Sequence, residues 1–215
     1  MAVTDILTVA PIILVLLAIV PLLKSGHGAR INLSVWAVIT ANAWLAGIGN
    51  LFAEQKGASA IYMVAYAVIV TPVLFFNLRS GAWGQLPAWH RCAAPLLPIG
   101  TLLGIFWGGE MATWSSFAVS LLLTVQLVEG AWKKVAREHL TTWSLFLLSD
   151  GSALFFGWGT SDLSLRFLLG LWVLQCLMVI SIEIRNRRAD LLSRFGKEQR
   201  DQESDGGGML CQVVK

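Results

Sequence analysis

Asp150 is the residue of this chain best placed to do chemistry, because an ionisable side chain stands there inside a long apolar run, LTTWSLFLLSDGSALFFG (140–157). At the centre of a bilayer such a group costs about 2.5–3.5 kcal/mol on insertion scales, so it has to face a cavity or a partner. A carboxyl in that position can exchange a proton or hold a cationic group. The nearest cation inside an apolar run is Arg166; at 1.5 Å per residue it stands roughly 12 Å from the level of Asp150, which argues against a direct pair. Asn42 and Gln175 fall at similar depth, as do the rings of Tyr66, Trp44 and Trp172. Together with Asp150 these form the candidate substrate-binding set. Asn42 and Gln175 equally suit hydrogen bonding between helices, and the three rings equally suit packing. Glu129 and Glu183 sit beside Lys133 and Arg185, Arg187 and Arg188, where snorkelled ion pairs account for them.

Other chemistries find no support. No HExxH, histidine box or nucleophile with a neighbouring base is present, so no enzyme is expected. His27, His90 and His139 fall at the ends of apolar runs, and Cys92, Cys176 and Cys211 share no CxxC spacing, so neither a metal nor a cofactor is expected. Residues 163–184 contain no lysine for a retinal Schiff base. Four residues follow Cys211, which excludes a prenylation motif.

The elements that would carry these residues are set by composition. The 215 residues are 56% hydrophobic and 13% charged, with mean hydropathy +0.67; soluble proteins run near about 25% charged. Of the 29 charged residues, 13 lie in 183–215. A run of about 20 apolar residues spans a bilayer, and seven such runs are legible: 4–23, 32–52, 58–78, 92–109, 112–132, 140–159 and 163–184. The first has Asp5 on its flank and no basic segment before it, so it reads as a helix and not a cleaved signal. The expected fold is an all-α polytopic membrane protein of seven transmembrane helices. Beyond Arg188 the composition turns charged and then glycine-rich, which predicts a short juxtamembrane helix and a disordered tail over 187–215.

Charge sets the orientation. With the N-terminus outside, the inner loops hold Lys24, Arg30, Arg79, Arg91, Lys133, Lys134 and Arg137, against Lys56 and Arg166 outside. The positive-inside rule then gives an N-out, C-in protein of the cell (plasma or inner) membrane. The net charge of +3 is therefore a membrane signal and not a nucleic-acid one. Eight of the ten tryptophans fall at span ends as two interfacial belts: Trp36, Trp83, Trp89, Trp132 and Trp143 inside, Trp107, Trp114 and Trp158 outside.

The chain also repeats. LSVWAVITANAWLAGIGN (33–50) lies over residues 140–157 without a gap, placing Trp36 on Trp143 and Asp150 within one residue of Asn42. Arg30 and Arg137 then coincide, as do Asn77-Leu78-Arg79 and Glu183-Ile184-Arg185. Gly49 and Gly157 each follow the polar residue by seven, on the same helical face. The repeat predicts two parallel three-helix bundles joined by a linker helix (3+1+3). The bundles are 1–80 and 112–186, and the linker is 81–111.

That plan resembles the SWEET and PQ-loop transporter superfamily, in which a Pro-Gln pair near the inner end of each bundle's first helix precedes a basic loop and a Trp-bearing second helix. Here the corresponding places read Pro21-Leu22 and Val125-Gln126, followed by KSGHGARINLSVW and AWKKVAREHLTTW. The family's sugar carriers have a proline in the first two helices of both bundles; this chain has Pro11 and Pro21 in its first span and none in the second, fifth or sixth. The resemblance implies hinge positions at Pro21, Leu22, Val125 and Gln126. It also implies a carrier, uniporting or proton-coupled, for a small polar solute such as a sugar or amino acid. The expected partners are the lipid bilayer and that solute, with protons and a second copy of the chain as candidates. A heptahelical receptor or regulator, or a channel, is the alternative function.

Overall fold

The computed structural model describes the backbone of residues 3–24, 33–52, 58–77, 88–133, 140–157 and 163–210, and side chains over a narrower set. Within them are seven helices and no strand: α1 (Val3–Lys24), α2 (Leu33–Phe52), α3 (Ala58–Asn77), α4 (Ala88–Trp107), α5 (Gly109–Trp132), α6 (Leu140–Gly157) and α7 (Leu163–Leu210). Lys24, Arg30, Lys56, Arg79, Arg91, Lys134 and Arg137 lie outside the described side chains. So do Trp83, Trp89, Trp158, the three histidines, Cys92, Cys211, Gly49 and Gly157.

Each helix grows from an apolar run that buries one side and leaves large hydrophobic residues on the other. Ile13, Leu17, Ile61, Phe75, Ile105, Phe155 and Leu174 all point outward. Inward, the same helices bury polar residues, among them Thr40, Asn42, Ser116, Ser120, Ser149 and Asp150. Two described stretches are long and apolar enough to cross a membrane, Gly109–Trp132 and Leu163–Ser193; shorter apolar stretches are Val9–Pro21, Trp36–Ile48, Ile61–Phe75 and Pro95–Trp107.

Packing follows a simple order. α3 lies between α1 and α2, which do not approach each other; α7 lies between α5 and α6 in the same way. α1 packs on α6 and α2 on α5, so six helices close a ring in the order α1–α3–α2–α5–α7–α6. α4 lies outside the ring, against α5 and α2. α5 and α7 run in the same direction. Trp172 bonds Ser120, Thr124 bonds Gln175, and the Asn186 amide donates to the Ala131 carbonyl at 2.9 Å, so the pairs ascend together. The Arg185 guanidinium covers the Trp132 ring at 3.6 Å near the same end.

α4 and α5 meet through a single residue, Gly108, whose φ of +94° belongs to glycine. The hairpin is tight because Gly100 and Gly104 face Ser115 and Ala112 across the contact.

The structure differs from the sequence reading at the C-terminal end. α7 continues unbroken to Leu210, where a short helix and a disordered tail are predicted. Arg, Lys, Glu and Gln, which fill much of that segment, are good helix formers, and the segment continues a helix already nucleated by packing.

Candidate functional site

A cavity of about 50 Å³ opens at the centre of the helix ring, roomy enough for more than one water. Helical spacing explains its lining. On α6, Trp143, Phe146 and Asp150 fall three and four residues apart and share one face; on α2, Trp36, Ile39 and Ala43 repeat the pattern, with Asn42 beside them. α7 contributes Trp172, Gln175 and Cys176, α5 contributes Ser120, Leu123 and Leu127, and α3 contributes Tyr66.

Asp150 is 2% exposed. The Tyr62 hydroxyl donates to its Oδ1 at 2.6 Å, and the Cys176 thiol lies 3.8 Å from Oδ2. No cation stands within ion-pair distance of it among the described residues, and Arg166 is not its partner. Tyr62 Oη also lies 3.0 Å from Ser149 Oγ, whose hydroxyl donates to the Pro11 carbonyl at 2.8 Å. This chain joins α1, α3 and α6 and counts protons. With Asp150 protonated, hydrogens run Asp150 to Tyr62 to Ser149 to Pro11 and every link is filled. With Asp150 ionised, the Tyr62 proton turns to the carboxylate and the Tyr62–Ser149 link carries none. Both protonation states therefore have a place in the geometry, with different hydrogen bonds holding α3 to α6.

Across the cavity, Ser120 Oγ accepts from the Asn42 amide at 2.7 Å and from the Trp172 indole at 3.0 Å. Asn42 Oδ1 has no hydrogen-bond partner although it is buried. Thr124 Oγ1 donates to Gln175 Oε1 at 2.9 Å or to the Ser120 carbonyl at 2.8 Å. Tyr66 packs between Trp172, at 5.0 Å between ring centroids, and Phe146, at 5.9 Å.

Of the residues picked from the sequence, Asn42, Tyr66, Asp150, Trp172 and Gln175 line this cavity and Trp44 does not. Trp44 is 38% exposed and donates its indole N–H to Thr71 Oγ1 at 3.0 Å. The described hinge positions, Pro21, Val125 and Gln126, are also away from the lining. Pro21 is half-buried in the last turn of α1, Leu22 lies outside the described side chains, and Val125 is exposed. Gln126 is buried, with its Oε1 unpartnered.

The sequence reading missed Tyr62, Ser149, Ser120 and Cys176. Tyr62 carries a faint signal, standing one turn from Tyr66 on the same face. Two belt tryptophans also need correcting: Trp36 and Trp143 turn inward onto the cavity, and Trp143 is buried. Glu129 does pair with Lys133, and Glu183 with Arg187 at 3.9 Å. Among family models, curated proteins and solved structures, none matches this chain.

Proposed function

We propose that this chain is a multi-pass membrane carrier that moves a small polar solute through the central cavity by alternating access between two three-helix bundles. The observation that carries the reading is Asp150, a buried carboxyl without a cation partner among the described residues, lining a cavity walled by helices from both halves. Outward-facing hydrophobic residues on all seven helices support a lipid surround, since soluble proteins rarely expose large contiguous apolar patches. The matching order of each half, with its third helix between the first and second, supports the 3+1+3 plan. Parallel-repeat carriers hold substrate at mid-membrane between their halves. The Asp150–Tyr62–Ser149 chain offers a means of proton coupling, because the contacts between α3 and α6 change with one proton.

Counterflow tests the reading. Proteoliposomes preloaded with a given solute should accelerate uptake of the same labelled solute, the signature of a carrier. Asp150→Asn, nearly the same size, should keep the unfolding midpoint while abolishing or uncoupling that movement. Unchanged, pH-dependent uptake by Asp150→Asn would remove the coupling role. Binding without counterflow would favour the receptor reading, for which the charged continuation of α7 is the supporting observation.

A further inference from the structure

We infer that the solute is a small organic cation, a primary or methylated ammonium of a few heavy atoms; this rests on the carrier reading for its transport, though not for its binding. Three features of the lining point the same way.

The first is charge. Asp150 is the only formally charged side chain among the described lining residues, and no described Lys, Arg or His joins it. A buried ionised carboxylate is costly without a partner, and a bound cation supplies one.

The second is the aromatic wall. Trp36, Tyr66, Trp143, Phe146 and Trp172 surround the space, with Tyr66 5.0 Å from Trp172 and Trp143 6.1 Å from Phe146 between centroids. Ring faces carry the negative side of their quadrupole, and a cation held within about 6 Å of a centroid is attracted to them, more so when desolvated.

The third is the hydrogen-bond inventory. Asn42 Oδ1 is a buried acceptor without a partner, and Asp150 Oδ2 has only the distant thiol. Asp150 Oδ2 can receive an N–H from a cation that carries one or sit against the methyl groups of a fully methylated one, and Asn42 adds an unfilled acceptor on a lining residue. Gln175 adds amide donors on the same wall, which a hydroxyl or carbonyl carried by the cation can meet. A sugar, uncharged and bearing many hydroxyls, would leave the carboxylate's charge uncompensated. The cavity volume of about 50 Å³ restricts the ligand to a short molecule.

The test measures binding to the purified full-length protein by tryptophan fluorescence and calorimetry. The probes are methylammonium, choline, the uncharged choline isostere 3,3-dimethylbutan-1-ol, and glucose. Either cation should bind saturably, and choline should bind at least about tenfold more tightly than its isostere. Asp150→Asn should weaken cation binding by about tenfold or more. Phe146→Leu keeps the carboxylate and should weaken it by about fivefold, which covers the case in which Asp150→Asn does not fold. Equal affinity for choline and its isostere, glucose binding without cation binding, or no binding of either cation overturns the inference. Counterflow separates the two readings. Saturable cation binding without counterflow sinks the carrier while the cation assignment stands. Counterflow of glucose without cation binding does the opposite.

Discussion

Depth and direction are separate questions for a residue on a helix, and the sequence answers only the first well. Trp44 lies at the same depth as Asn42, but two residues amount to about 200° of rotation, so it faces the other way. Trp36 and Trp143 show the converse. They stand near span ends, yet seven residues before Ala43 and Asp150 is two full turns, which returns them to the cavity face. Asp150 was legible because a charge inside an apolar run has few explanations. Tyr62 was not, because its hydroxyl reaches the carboxylate from another helix. That hydroxyl is the close hydrogen-bond partner of Asp150 and, when the carboxyl is protonated, of Ser149 as well. Tyr62→Phe should therefore destabilise the protein by about 1–3 kcal/mol, the cost of leaving a buried polar group unpaired. The measurement is the unfolding midpoint in detergent. A midpoint equal to wild type would show that the hydroxyl chain contributes nothing to holding α3 on α6.

Helix positions were easier to read than the way helices meet. The predicted runs fall within about four residues of the observed ends for six of seven helices, because apolar runs stop abruptly at charged or proline-bearing loops. The exception is α7, whose charged half holds too few apolar residues in the sequence to mark how far the helix runs. The closeness of α4 to α5 was also unread, although its cause is in the sequence. IGTLLG places Gly100 and Gly104 on one face, and a Cβ on them would stand 2.4 Å from that of Ser115 and 2.7 Å from that of Ala112. Small residues four apart let helices approach closely in lipid. Gly104→Val should cost about 1–3 kcal/mol by overpacking this contact. Gly170, with nothing within 4 Å of a Cβ placed there, is the control; Gly170→Ala should stabilise by about 0.5–1 kcal/mol. Both are read from the same unfolding midpoints, and shifts of equal sign would refute the assignment.

For the whole molecule, the ring order α1–α3–α2–α5–α7–α6 sets each half's first helix against the other half's second. No element-by-element reading could foresee that, since it depends on which faces meet after folding. The proposed membrane orientation is a prediction that rests on sequence, through the basic loops assigned to the inner side. In a background with Cys92 and Cys211 replaced by serine and the buried Cys176 retained, Lys56→Cys should react with a membrane-impermeant thiol reagent from outside intact cells. Lys133→Cys should not. The reverse pattern would invert the topology.

The 48-residue α7 has a mechanical consequence. At 1.5 Å per residue it is about 72 Å long, more than twice the thickness of a bilayer core. One half is wedged between α5 and α6 and contributes Trp172, Gln175 and Cys176 to the cavity; the other projects past Arg185. A rod held at one end is a lever. A tilt of about 10° at the wedged half would swing the far end through roughly 6 Å, so a rearrangement too small to see at the cavity would be magnified at Leu210.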